Sequence, residues 1–176
     1  MASINLTSEP HSFFINGFVT GNFLSDDEIA SFDAFSFIDC NSSGYLDRTS
    51  TLPPEEALRF FKKFSAMFEQ QLISPFFKNF KLINFGMWDG SDIGSRKWHN
   101  DFEDGDAFNS NIIIYLETHS PEHSLQVKNG ERIMTVETRA GDFVWLNQMK
   151  CFQHRAIQES GPRRILSFEY FIEGLT

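Results

Sequence analysis

From residue 80 onward the chain is a succession of short apolar, β-branched and aromatic runs, each closed by a turn signal. That rhythm restricts the fold more than any other feature. The runs predict strands over 80–88, 97–102, 111–117, 124–128, 132–138, 143–146, 152–157 and 164–172. Asn129-Gly130 between two of them is the dipeptide of a type I′ hairpin, and Gly141-Asp142 and Ser160-Gly161-Pro162 are further turns. Upstream the period changes. Ser25-Asp26-Asp27-Glu28 has the Ser-x-x-Glu spacing of a capping box and predicts a short helix ending near Phe35. Pro54 opens a second helix, with Glu55 and Glu56 in the first turn, where the helix dipole favours acids. Leu58, Phe61, Phe64, Ala66 and Phe68 give it an apolar face running to about Ile73.

Two helices followed by eight short strands predict a mainly β fold with supporting helices (α+β), a double-stranded β-helix or jelly roll flanked by N-terminal helices. One domain over 1–176 is expected, with 1–79 as helical support and 80–176 as the jelly-roll core. The 176 residues include 21 Phe against 3 Trp and 3 Tyr, rigid aromatic volume that suits a sheet-lined core. No run approaches the roughly 18–20 apolar residues of a membrane span. The net charge of −9 disfavours nucleic acid, whose binding rests on neutralised phosphates. Residues 1–6 lack the basic and apolar regions of a secretory signal. Cys40 and Cys151 make no disulfide framework, so a reduced, cytoplasmic protein is expected; no feature sets an oligomeric state.

The sharpest local motif is Trp98-His99-Asn100-Asp101. On a strand, residues two apart face the same side, so His99 and Asp101 would project together and offer a metal two adjacent positions. His154, in Phe152-Gln153-His154-Arg155, is the natural third ligand. Two histidines and one carboxylate on one face of an octahedron leave open positions, the arrangement of non-haem Fe(II) oxygenases. A surface hydrogen-bonded pair is the plainer reading of His99 and Asp101. Between Thr138 and Arg164 the basic residues are Arg139, Lys150, Arg155, Arg163 and Arg164, against only Asp142 and Glu159. A local excess of positive charge in an acidic chain suits a small dicarboxylate bound near the metal, gripped by an arginine fork from Arg163 or Arg164.

With these residues in place, the sequence resembles the 2-oxoglutarate- and Fe(II)-dependent dioxygenases, in their prolyl-4-hydroxylase-like branch. The segment from Phe18 to Asp33, with Asn22-Phe23-Leu24-Ser25-Asp26-Asp27-Glu28, is similar to the family's strand, Leu-Ser and acidic helix start. His99-x-Asp101 follows, then the strand from Asn111 to Glu117, then Ala140-Gly141-Asp142-Phe143-Val144-Trp145. His154 and Arg164 match the distal metal histidine and the basic residue for the co-substrate. The family commonly has an aromatic residue six places after that basic residue. From Arg164 this is Tyr170 and from Arg163 it is Glu169, so the resemblance selects Arg164, with Leu166, Phe168 and Tyr170 pointing inward beside it. It also implies that Tyr115 and Asn111 contact the co-substrate, and that Trp88 and Tyr170 line the substrate region.

What the resemblance implies is hydroxylation of an unactivated C–H bond with Fe(II), 2-oxoglutarate and O2, releasing succinate and CO2. His99, Asp101 and His154 would be the metal ligands. Members that halogenate carry a small residue in place of the carboxylate, so Asp101 implies hydroxylation. The implied substrate is a prolyl or other peptide or protein side chain, with a small molecule as the other class. Acids between His99 and His123, with no Lys or Arg among them, favour a neutral or basic substrate. The rival reading is a non-enzymatic cupin-like or structural jelly-roll module, which strand count alone does not separate from an oxygenase.

Overall fold

The strands fold as two antiparallel sheets stacked face to face, with the helices against the far side of the larger one. The structure, a computed structural model, describes residues 3–32, 55–89, 97–100, 108–118, 125–157 and 164–173. Within them the larger sheet runs β1 (Asn5–Leu6), β2 (Phe18–Asn22), β7 (Asp142–Asn147), β4 (Phe108–Tyr115), β9 (Arg164–Ile172) and β3 (Phe80–Asp89). The smaller runs β6 (Arg132–Val136), β5 (Leu125–Asn129) and β8 (Phe152–Ala156). The chain crosses between sheets from β4 to β5, β6 to β7, β7 to β8 and β8 to β9. The connected partners come in the same order in both sheets, β7-β4-β9 in one and β6-β5-β8 in the other. That is jelly-roll winding.

Several expectations shift. The region before residue 80 is not helical support alone, because β1 and β2 extend the larger sheet beyond β7. β1 is too short to show a period-2 pattern. β4 begins at Phe108, three residues before its expected start, because the polar run Asn109-Ser110-Asn111 is paired on both edges by β7 and β9. The predicted strand over 97–102 is replaced, in its described part, by a single bridge at His99. The Asn129-Gly130 hairpin forms, but Asn129 pairs with Arg132, so Gly130 and Glu131 make the loop. Only Gly130 has positive φ there (59°), the first central position that a type II′ turn reserves for glycine.

Helix α1 (Ser12–Ile15) is a single turn that places Phe13 against Trp145, ring centroids 4.0 Å apart. In α2 (Asp26–Phe32) the Glu28 carboxylate accepts from the Ser25 N–H at 3.2 Å and from Ser25 Oγ at 3.0 Å. That is the backward half of the capping box. Its expected end near Phe35 and the expected helix start at Pro54 lie outside the described residues. Helix α3 (Glu55–Phe68) continues into a π-helical turn, Glu69–Ile73. Phe61, Phe64 and Phe68 are buried at helical spacing, whereas Ala66 is exposed. The wider π turn carries the neighbours Leu72 and Ile73 both into the core. No helix among the described residues is long and apolar enough to cross a membrane.

The larger sheet is covered on both faces, and strand alternation divides its residues. Ile112, Ile114, Phe143, Trp145, Leu166, Phe168, Tyr170 and Ile172 face the helices. Phe68 lies 5.4 Å from Phe168 and 6.0 Å from Phe143, and Phe61 lies 4.9 Å from Phe85, so phenylalanines from helix and sheet form one aromatic layer. Each such pair contributes about 0.5–1.5 kcal/mol beyond the burial of its area. Ile113, Tyr115, Val144, Leu146 and Ile165 face the other way, against Leu125, Val127 and Val136 of the smaller sheet. That second, inter-sheet face carries the residues of chemical interest.

Candidate metal centre

His154 is placed by register. It lies opposite Val127, whose side chain belongs to the inter-sheet cluster, and directly opposed residues of antiparallel strands share a face. The imidazole therefore turns into the space between the sheets, where it is 8% exposed. His99 reaches it from the far edge of β8. The His99 N–H donates to the His154 carbonyl at 3.1 Å and the His154 N–H to the His99 carbonyl at 3.0 Å, one antiparallel bridge. The two ring centroids are 4.4 Å apart.

The segment carrying His99 is held by side chains on either side of it. Trp98 lies on the outer surface, with the Arg155 guanidinium carbon 4.5 Å and Lys128 Nζ 5.8 Å from its ring centroid. Arg155 is tethered in turn, its Nε donating to Gln126 Oε1 at 2.9 Å. Asn100 Nδ2 donates to the Met149 carbonyl at 3.3 Å. The Nδ1 of His99 lies 2.6 Å from the Lys97 carbonyl, which makes Nδ1 the protonated nitrogen and leaves the lone pair on Nε2. A carbonyl fixing the tautomer of an imidazole is the outer-shell arrangement of metal-bound histidines. Two imidazoles sharing one face suit a first-row divalent ion, so the residues present fit the metal expected from the sequence. Asp101, the expected third ligand, lies outside the described residues, among which no three His, Cys, Asp or Glu side chains converge.

The other expected site residues separate by face. Tyr115 and Asn111 are buried on the inter-sheet face of β4, and Asn111 Oδ1 accepts from Ser167 Oγ of β9 at 2.9 Å, which leaves its Nδ2 as the donor end. Trp88 stands opposite Ile165 in the register; its side chain lies outside the described part. Tyr170 shares a face with Arg164, Leu166 and Phe168, and that face is the helix layer, where its hydroxyl donates to the Ser65 carbonyl at 3.4 Å. Burial first, and then the Glu69 carboxylate, push its phenol well above the usual tyrosine range. Arg164 has the same alternation, and its Nε donates to Glu117 Oε1 at 2.8 Å. Counting from Ile165 on the inter-sheet face, β9 instead presents Ser167 and Glu169 beside Asn111, and Asn84 of β3 lies opposite Glu169. Sequence reasoning missed this polar group. The parity of β9 was visible, but not which parity faced His154.

Neither a protein-family profile nor a curated protein sequence matches the chain. Solved structures do. The chain is similar to the viral collagen prolyl hydroxylase of Paramecium Bursaria Chlorella virus-1, solved with 2-oxoglutarate (TM-score 0.62, 13% identity, 90% of this chain and 97% of that one). It is similar to the Trichoplax adhaerens prolyl hydroxylase, solved with a hypoxia inducible factor peptide (TM-score 0.59, 16% identity, 93% and 87%). It also resembles SnoN, an α-ketoglutarate-dependent epimerase of nogalamycin biosynthesis (TM-score 0.60, 13% identity, 93% and 79%). At these identities the likeness is one of fold: the chain has the jelly roll of the 2-oxoglutarate/Fe(II) oxygenases.

Proposed function

We propose that this chain, built on the fold of the 2-oxoglutarate/Fe(II) oxygenases, is itself such an oxygenase and hydroxylates an unactivated C–H bond. The observation that carries the reading is the His99–His154 pair, brought together on the inter-sheet face with the His99 tautomer set for coordination. When bound, Fe(II) and 2-oxoglutarate supply the oxidising chemistry: one atom of O2 enters the substrate, the other enters succinate, and CO2 is released. His99, His154 and Asp101 would hold the ion. Tyr115 and the amide of Asn111 would orient the co-substrate from the inter-sheet face. The arginine for its far carboxylate is Arg163 in this reading, the other candidate of the Arg163-Arg164 pair, because Arg164 is engaged with Glu117. The apolar half of the inter-sheet space, Ile113, Val127, Val144 and Leu146, excludes water.

Anaerobic addition of Fe(II) and 2-oxoglutarate should give a weak visible charge-transfer band, and admission of oxygen should yield succinate. Both should disappear in Asp101→Ala and His154→Ala. A protein that binds neither component and forms no succinate is a jelly-roll binding module, and the proposal fails.

A further inference from the structure

Strand β4 presents a row of side chains to the space between the sheets. Ile113 and Tyr115 belong to the inter-sheet cluster, whereas Phe108, Ile112 and Ile114 belong to the helix layer. Ser110 sides with the helix layer too, its Oγ accepting from the Trp145 indole N–H. Alternation therefore turns Asn109 and Asn111 the same way as Ile113 and Tyr115, with roughly 7 Å between successive members of the row. The two asparagines differ in what they bond. Asn111 Oδ1 accepts from Ser167 Oγ at 2.9 Å. Asn109 is 6% exposed, and its Oδ1 is buried with no hydrogen-bond partner among the described residues.

The backbone of Asn109 is tied on both edges. It pairs with Phe171 of β9, and its carbonyl accepts from the Gln148 N–H at 3.1 Å. These bonds fix the direction of its side chain, so the carboxamide stays on the inter-sheet side. An amide oxygen left buried and unpaired costs about 1–3 kcal/mol, and a ligand that supplies an N–H removes that cost. The same planar group carries two N–H donors, so its full complement is a second amide, which donates through N–H and accepts through C=O. A cation offers donors alone and leaves the Nδ2 end unmatched.

The place of Asn109 in the row gives its target. In the oxygenase reading Tyr115 and Asn111 orient the co-substrate, and Asn109 is the next position on that face, one step beyond it along β4. We infer that Asn109 recognises an amide group of the primary substrate, accepting from its N–H through Oδ1 and donating to its carbonyl through Nδ2. The substrate class is then a secondary amide, the group of a peptide bond. The inference deepens the oxygenase reading by naming that class, and it rests on the reading for the reaction but not for the binding.

The test is calorimetric titration of the full chain, loaded anaerobically with Fe(II) and 2-oxoglutarate and, separately, unloaded. The probes are blocked tripeptides, N-acetyl-Ala-Xaa-Ala N-methylamide with proline, leucine, lysine or asparagine at the centre. Their counterparts are depsipeptides in which one N–H at a time is replaced by oxygen. Saturable binding of at least one peptide, weakened at least about tenfold by one such replacement, is the expected result. Asn109→Leu should bind that peptide at least about tenfold more weakly and no longer distinguish it from its depsipeptide. Asn109→Ala removes the carboxamide without adding bulk and should behave in the same way. Affinities for Fe(II) and 2-oxoglutarate within about twofold of the parent show that the variants are folded and that Asn109 stands outside the co-substrate site. Peptide and depsipeptides binding alike in the parent, or discrimination kept in the variants, overturns the inference. So does loss of 2-oxoglutarate affinity in both variants, or no peptide binding at all. Loss of the oxygenase reading looks different: peptides still bind with the N–H requirement, but Fe(II) and 2-oxoglutarate do not.

Discussion

His99 and His154 exchange both backbone hydrogen bonds across one isolated bridge, and their rings sit 4.4 Å apart on the inter-sheet side of it. Fifty-four residues, β4, β5, β6 and β7 among them, separate the two along the chain; in space the backbone itself sets the spacing of the two imidazoles. Replacing either histidine by alanine should therefore reduce Fe(II) affinity by more than the roughly 10- to 100-fold that loss of an outer partner produces. Anaerobic equilibrium titration with Fe(II) measures this. Parent-like affinity in both single variants would remove the pair from the metal site.

Trp98 anchors the outer side of the same segment, against Arg155 and Lys128. A cation–π contact contributes about 0.5–2 kcal/mol, according to exposure. Trp98→Ala should weaken Fe(II) binding by about 3- to 30-fold through misplacement of His99, and Trp98→Phe should restore part of the loss. The rescue series, followed by Fe(II) titration and by the charge-transfer band, separates positioning from unfolding. Equal affinities in all three proteins would show that the bridge alone holds His99.

Arg163 and Arg164 should part company in kinetics. Arg163→Ala is expected to raise the KM for 2-oxoglutarate by about 10- to 100-fold, the equivalent of a lost charge-assisted hydrogen bond. Arg164→Ala should leave that KM within about twofold and lower stability by about 0.5–1.5 kcal/mol, because Glu117 loses its partner. Steady-state succinate formation and urea melts read the two effects. A raised KM in the Arg164 variant alone would restore the assignment made from the sequence.

Tyr170 should show itself in alkali. Its phenol is raised by burial and by Glu69 above the ordinary value of 10.0, so the folded state holds a proton that the unfolded chain releases. The stability associated with this group is complete below pH 10 and declines as pH rises past it, with a slope of about 1.4 kcal/mol per pH unit. Tyr170→Phe should lose that slope, with little change near neutral pH since its 3.4 Å hydrogen bond is weak. Denaturant melts from pH 8 upward compare the two proteins. Its metal affinity should match the parent's, since the ring lies in the helix layer.

The aromatic helix layer was legible because it is local. Phe61, Phe64 and Phe68 recur at helical spacing, and a helix with that stripe must bury it against a sheet. The β9 boundaries were equally legible, since Arg164–Ile172 is an unbroken strand pattern bounded by a Gly-Pro turn. The start of β4 was not. Asn109, Ser110 and Asn111 have little strand propensity, and they are held in the sheet by neighbours more than 30 residues away, β7 and β9.

The sequence by itself determined the period of each element, the order of strands along the chain and the residue types available for coordination. It also determined that Arg164, Leu166, Phe168 and Tyr170 share one side of a strand. Only the tertiary structure decided which side that was. Alternation is symmetric, so a strand buried on both faces carries no local mark telling the helix face from the inter-sheet face. That choice comes from long-range pairing and from what packs on each surface. The same pairing brought His99 to His154, gathered Asn109, Asn111 and Glu169 into one corner, and sent Tyr170 to the helices.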